Sequence, residues 1–163
     1  MTIHKGRHIL VVDDDPEIVD AIVETLNGTF PDASIHPAIS GLEAVTILKQ
    51  TPIDVAMTDG QMPGLIDGFT LIKIIRGHGE EQEFNVYGAE YFAGRVAYEV
   101  FRKQYQRLPI IMVSGDARQH HVQGFCMEHD VHLLGKPVNA TTLTAAVRRY
   151  YHSNNATQLY KRL

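Results

Sequence analysis

Short apolar runs rich in β-branched residues recur along this chain, and each stops abruptly at polar residues. His8-Ile9-Leu10-Val11-Val12 stops at Asp13-Asp14-Asp15, Ile53 to Thr58 at Asp59, Pro109 to Val113 at Ser114, and Val131 to Leu134 at Gly135-Lys136. A run this short without polar alternation reads as a strand buried on both faces. Ala33 to Pro37 is a weaker fifth candidate. Between the runs lie amphipathic segments with helix signals. Asp15-Pro16-Glu17 opens one that carries Ile18, Ile22 and Leu26, and Asn27-Gly28 closes it. Ser40-Gly41-Leu42-Glu43 forms a capping box before Leu42, Val45 and Leu48. Asp67 caps a helix with Phe69, Ile72 and Ile75. Another helix is expected over Arg118 to Glu128, and Asn139 caps a last one with Leu143, Ala146, Val147 and Tyr150 on one face.

Strands alternating with helices build βαβ units, hence a parallel sheet covered on both faces. The fold class is α/β: a flavodoxin-like, doubly wound, five-stranded sheet in the order 2-1-3-4-5, an order taken from the class. With 163 residues the chain is one domain and an elaboration. We expect the domain over residues 1–152 and a polar C-terminal tail over 153–163. Fifteen basic against nineteen acidic residues give a net charge of −4, which argues against a nucleic-acid partner. A lone cysteine, Cys126, excludes a disulfide framework. His120, His121, His129 and His132 lack the accompanying ligands of a zinc site and read as surface or helix-end residues. No stretch spans a membrane, and the first apolar run is too short for a signal peptide. A cytoplasmic protein is expected.

In an open α/β sheet, ligands bind outside the carboxyl ends of the strands. There the chain places Asp13, Asp14, Asp15, Asp59, Ser114 and Lys136. Each alone has an ordinary reading: helix cap, turn residue, solvated lysine. Together they are harder to dismiss. Clustered carboxylates repel unless a cation joins them, and a hard divalent ion such as Mg²⁺ with oxygen ligands does so. A hydroxyl and an ammonium suit phosphoryl oxygens, and a carboxylate can itself be a phosphoryl acceptor.

These stretches resemble the response-regulator receiver family of two-component signalling. The resemblance rests on HILVVDDDPEIV, DVAMTDGQMPG, IIMVSGDA and LLGKPV, with 45 residues from Asp14 to Asp59 and 22 from Ser114 to Lys136. It implies Asp59 as phosphoacceptor. It further implies Mg²⁺ held by Asp13, Asp14, Asp59 and the Gln61 backbone carbonyl, with Ser114 and Lys136 on the phosphoryl group. Gln61 and Asp116 would tune its lifetime. The implied donor is a sensor histidine kinase or histidine phosphotransfer protein, and the implied role is signalling rather than turnover. Two alternatives compete: a degenerate receiver used as an interaction scaffold, and a haloacid-dehalogenase-like phosphatase with Asp13 as nucleophile and Asp15 as acid. The second lacks the acidic motif it needs after the lysine, since residues 137–163 contain no Asp or Glu.

The chain departs from the family pattern in four ways. The acceptor loop has one extra residue between Pro63 and Asp67-Gly68. Leu133 stands where the family usually has an aromatic, and its neighbour His132 faces the other way. No output module is expected after the last helix. Asp59 and Ser114 are 55 residues apart, a long connection that places an insertion at about 77–107, between helix 3 and strand 4. Within it Ala89 to Gln106 reads as a helix with Phe92, Val96 and Val100 on its apolar face. Seven of the chain's thirteen aromatics lie in the insertion. They form either a satellite core or an anchor for a homodimer or another partner.

Overall fold

The computed structural model describes residues 6–77 and 90–151. Five strands, β1 (His8–Val12), β2 (Ser34–Ala38), β3 (Val55–Asp59), β4 (Ile110–Ser114) and β5 (His132–Gly135), form one parallel sheet in the order β2-β1-β3-β4-β5. Register is continuous across it: Val12 pairs with Ala38 and Thr58, Asp59 with Val113, and Ser114 with Gly135. The apolar runs are strands because alternate residues feed two cores. Ile9, Val11, Met57, Ile111 and Val113 face α1 (Pro16–Thr29) and α6 (Ala140–Tyr151). Leu10, Val12, Ala56, Ile110 and Met112 face α2 (Gly41–Gln50), α3 (Gly68–Arg76), α4 (Arg95–Tyr105) and α5 (His120–Glu128). Burying each large side chain contributes on the order of 2 kcal/mol.

The capping residues act as the sequence indicates. Asp15, Ser40 and Asp67 each accept a backbone N–H in the first turn of their helices. Asn139 accepts from Thr142 N at 2.8 Å. Some boundaries differ. The first helix continues through Asn27-Gly28 to Thr29, because the buried Phe30 closes it with an N–H to the Leu26 carbonyl at 2.7 Å. The second strand is shifted by one residue, and α5 starts at His120 rather than Arg118. Leu42 is exposed; Ala44, Val45 and Leu48 carry the buried stripe of α2.

The insertion is corrected most. Its helix spans Arg95–Tyr105, not 89–106, because Gly94 at φ +96° breaks the helical path. Val96 and Val100 are 76% and 62% exposed, while Tyr98, Phe101 and Tyr105 are buried. The aromatics bury more apolar area than valines, so they set the inward face. With Phe92 they join the core shared by α2, α3 and β4 rather than a satellite. The Tyr105 hydroxyl lies 2.9 Å from the Leu48 carbonyl and 2.8 Å from that of Thr51, and accepts from Ile53 N at 3.3 Å. The Tyr98 hydroxyl donates to the Ile74 carbonyl at 3.0 Å. Phe84 and Tyr87 lie outside the described residues.

His129 is at a helix end as expected but is buried, stacked on Phe125. Leu133 packs into the α2–α5 core, while His132 turns to the Tyr150 hydroxyl on the opposite face, 3.2 Å away. Among the described residues no helix is long and apolar enough to cross a membrane.

Candidate functional site

Strand register brings the sheet-edge residues together. Asp13 follows β1 directly, and its N–H is tied to the Ala38 carbonyl at 3.2 Å. Asp59 is the last residue of β3 and Ser114 the last of β4, two adjacent strands. Lys136 follows β5, with its N–H on the Ser114 carbonyl at 3.0 Å; the Lys136–Pro137 peptide is cis. The Lys136 ammonium reaches back across the sheet end. It stands 3.1 Å from Asp13 Oδ2 and 3.1 Å from Asp59 Oδ1.

Asp13, Asp14 and Asp59 each offer a carboxylate oxygen, and these oxygens lie within 4.8 Å of one another. Asp13 and Asp59 are buried and Asp14 is exposed. An all-oxygen donor set of this size fits a hard divalent cation. Among the described residues the anionic cluster has one resident counter-charge, Lys136, and one lysine does not neutralise three carboxylates.

The electrostatics follow from that imbalance. Burial raises Asp59 above the usual carboxylate range, and the charge of Asp13 adds to it; the Lys136 contact and the Gly60 N–H pull the other way without cancelling the rise. For Lys136 burial lowers the ammonium, but the hydrogen bonds and charges of Asp59 and Asp13 together outweigh it. The net effect is a rise.

Ser114 is buried, and its Oγ accepts the Asp116 N–H at 3.1 Å. Asp116 joins two glutamines through its carboxylate. Gln61 Nε2 donates to Oδ2 at 2.8 Å, and Gln119 Nε2 to Oδ1 at 2.9 Å. The loops after β3 and β4 are therefore bridged by Gln61 and Asp116. Asp15 stands apart from the cluster: its carboxylate accepts Glu17 N at 2.9 Å and caps α1.

Two contributors were not apparent as site residues from sequence. Gly68 N–H donates to the Gly60 carbonyl at 3.0 Å, and a Cβ on Gly68 would collide with the Asp59 carbonyl. Gln119 completes the clamp on Asp116. The signal for the first was a glycine directly after a capping aspartate, which reads as an ordinary helix start. The second carried no signal.

Comparison with known proteins agrees with this geometry. Residues 9–89 match the response regulator receiver domain family. Response regulator GtcR of Aneurinibacillus migulanus is 40% identical over 68 residues, 42% of this chain and 27% of that protein. Heme response regulator HssR of Staphylococcus aureus is 39% identical over 67 residues, 41% of this chain and 29% of that protein. The matches thus span less than a third of these curated relatives. Among solved structures, chemotaxis protein CheY4 of Vibrio cholerae superposes with a TM-score of 0.66 at 21% identity, covering 89% of this chain and 98% of that one. The receiver domain of a sensor histidine kinase from Pseudomonas aeruginosa, with magnesium coordinated in its active site cleft, gives 0.64 at 21% identity, covering 91% and 99%. Fold, sheet-edge cluster and sequence match converge: the chain belongs to the response-regulator receiver family.

Proposed function

We propose that this chain accepts a phosphoryl group on Asp59 from a phosphohistidine of a sensor histidine kinase or histidine phosphotransfer protein, and changes its partner contacts in response. The observation that carries this reading is the Lys136 ammonium, 3.1 Å from both Asp13 and Asp59, beside three carboxylate oxygens within 4.8 Å of one another. In the reading, Asp13, Asp14, Asp59 and the Gln61 backbone carbonyl hold Mg²⁺, which supplies positive charge where phosphoryl oxygens gather. An Asp59 oxygen attacks phosphorus, the P–O bond forms, and the P–N bond to imidazole breaks with its electron pair returning to nitrogen. Lys136 pairs with a phosphoryl oxygen, and the rate enhancement comes from positioning and charge neutralisation. Ser114 exchanges its bond from Asp116 N for one to the phosphoryl group. Gln61 and Asp116, bridged across the entrance, set how fast water reaches it.

A cavity of about 510 Å³ opens beside the site. Asp13 and Lys136 stand at it, and Ile18, Ile22, Val138 and Leu143 line its apolar side. This gives a donor protein an apolar rim next to the reacting carboxylate. The receiver unit in this proposal covers residues 1–152, with the insertion at 77–107 and a tail at 153–163, and works in the cytoplasm.

The test is incubation with acetyl phosphate and Mg²⁺, read by intact mass. The expected result is gain of one phosphoryl group by the parent chain and none by Asp59→Asn. Labelling that persists in the variant overturns the acceptor assignment, and an unlabelled parent supports the scaffold reading instead.

A further inference from the structure

Asp116 is held between two amides that come from different loops. Gln61 Nε2, on the loop after β3, donates to its Oδ2 at 2.8 Å, and Gln119 Nε2, just before α5, donates to its Oδ1 at 2.9 Å. The backbone of Asp116 is tied on both sides as well. Its N–H donates to Ser114 Oγ at 3.1 Å, and its carbonyl accepts the Gln119 N–H at 2.9 Å.

The plain explanation for Gln119 is a loop contact that steadies the entry into α5. Two observations go past it. Gln119 is the N-cap residue of α5, yet its side chain makes no capping hydrogen bond and turns to the Asp116 carboxylate instead. That carboxylate is also the one that bridges to Gln61, 55 positions away in sequence and two residues after Asp59. A carboxylate held through one oxygen can still turn about its Cβ–Cγ bond. Held through both oxygens, its plane is fixed. The short-range bond from Gln119 therefore orients the acceptor of the long-range bond from Gln61.

We propose that Gln119 is a positioning residue for the lifetime of the phosphoryl group. By fixing the Asp116 carboxylate it keeps the Gln61 side chain across the entrance to Asp59, and so slows hydrolysis. The proposal rests on the reading of Asp59 as phosphoacceptor. In that hydrolysis a water oxygen bonds to phosphorus. The bond from phosphorus to the Asp59 oxygen breaks with its electron pair staying on the carboxylate, and both protons of the water leave on the phosphate. Gln119 acts on this step through Asp116 and Gln61. Without its donor the carboxylate turns, the Gln61 amide loses its fixed partner, and water reaches phosphorus more often.

The experiment labels the full chain with acetyl phosphate and Mg²⁺, removes the reagent by rapid desalting, and follows loss of the phosphoryl group by intact mass. Gln119→Leu, which deletes the donor, and Gln119→Glu, which keeps the length but offers only an acceptor, are each expected to lose the label about threefold faster than the parent, the worth of one exposed hydrogen bond. Gln119→Lys restores a donor and is expected to return the parent rate. In an Asp116→Ala background, Gln119→Leu is expected to change nothing further, because the group it acts through is gone. Gln119 is exposed, and Gln119→Glu carries the test if Gln119→Leu unfolds. Loss at the parent rate or slower in the Leu and Glu variants overturns the proposal. So does a Lys variant as fast as the Leu one, or an equal acceleration without Asp116, since either makes the effect one of general loop structure. In all these cases the parent still takes up label. A parent that takes up none overturns the Asp59 reading itself, and this proposal with it.

Discussion

At Asp59, burial and a lysine pull one carboxyl in opposite directions, and burial prevails. A folded-state value above the unfolded one means that the protonated form is favoured by folding. The stabilising contribution is present below the ordinary Asp range and is lost as pH rises through the raised value, so at neutral pH the charged side chain opposes folding. Asp59→Asn is therefore expected to raise the thermal midpoint at pH 7 without Mg²⁺, with the gain shrinking on acidification. A lower midpoint for the variant at pH 7 would contradict the charge balance described here. The six charged or hydroxyl residues at the strand ends were legible in the sequence because short apolar strands announce where they stop. Their separate tasks were not. Asp15 lies beside Asp13 and Asp14 in sequence, yet its side chain turns onto the helix N-terminus while theirs meet Asp59.

Two elements stand out, the loop from β3 into α3 at the site and the inserted helix in the core. Gly68 packs against the Asp59 carbonyl with no room for a methyl group. Gly68→Ala is expected to displace the end of β3, weaken Mg²⁺ binding by more than tenfold and cost on the order of 2 kcal/mol of stability. Magnesium titration and urea unfolding measure both. In the insertion, Tyr105→Phe removes the hydroxyl that links two carbonyls and the Ile53 N–H. The expected loss is about 1–3 kcal/mol, since a buried donor is left without its partner. In alkaline spectrophotometric titration, the tyrosine signal near 12, where burial has pushed Tyr105, should be smaller in the variant than in the parent. Sequence periodicity selected Val96 and Val100 for the inward face. Spacing alone does not weigh a valine against a tyrosine, and the aromatic set at 98, 101 and 105 displaced them.

For the whole molecule, the question is what the insertion does to association. Phe92, Tyr98, Phe101 and Tyr105 are buried in the core of the chain itself, which removes four of the aromatics that would anchor a partner. Val96 and Val100 are the large apolar side chains that α4 leaves exposed. We expect sedimentation to give a monomer both with and without beryllofluoride; a dimer formed only with beryllofluoride would restore the interface reading of the insertion.

By itself the sequence determined the element order, the parallel sheet and the identity of the acidic, hydroxyl and amine groups at its edge. Those follow from local signals: apolar run length, helical spacing, caps and the residue that ends each strand. Only the tertiary structure decided that Lys136 touches both Asp13 and Asp59, that Gln61 and Asp116 bridge neighbouring loops, and that Arg76, Arg102 and Arg107 converge. The lysine and glutamine contacts join residues from 55 to 123 positions apart, and Arg76 lies 26 positions from Arg102. Sheet register and core packing set such distances, and no local periodicity encodes them.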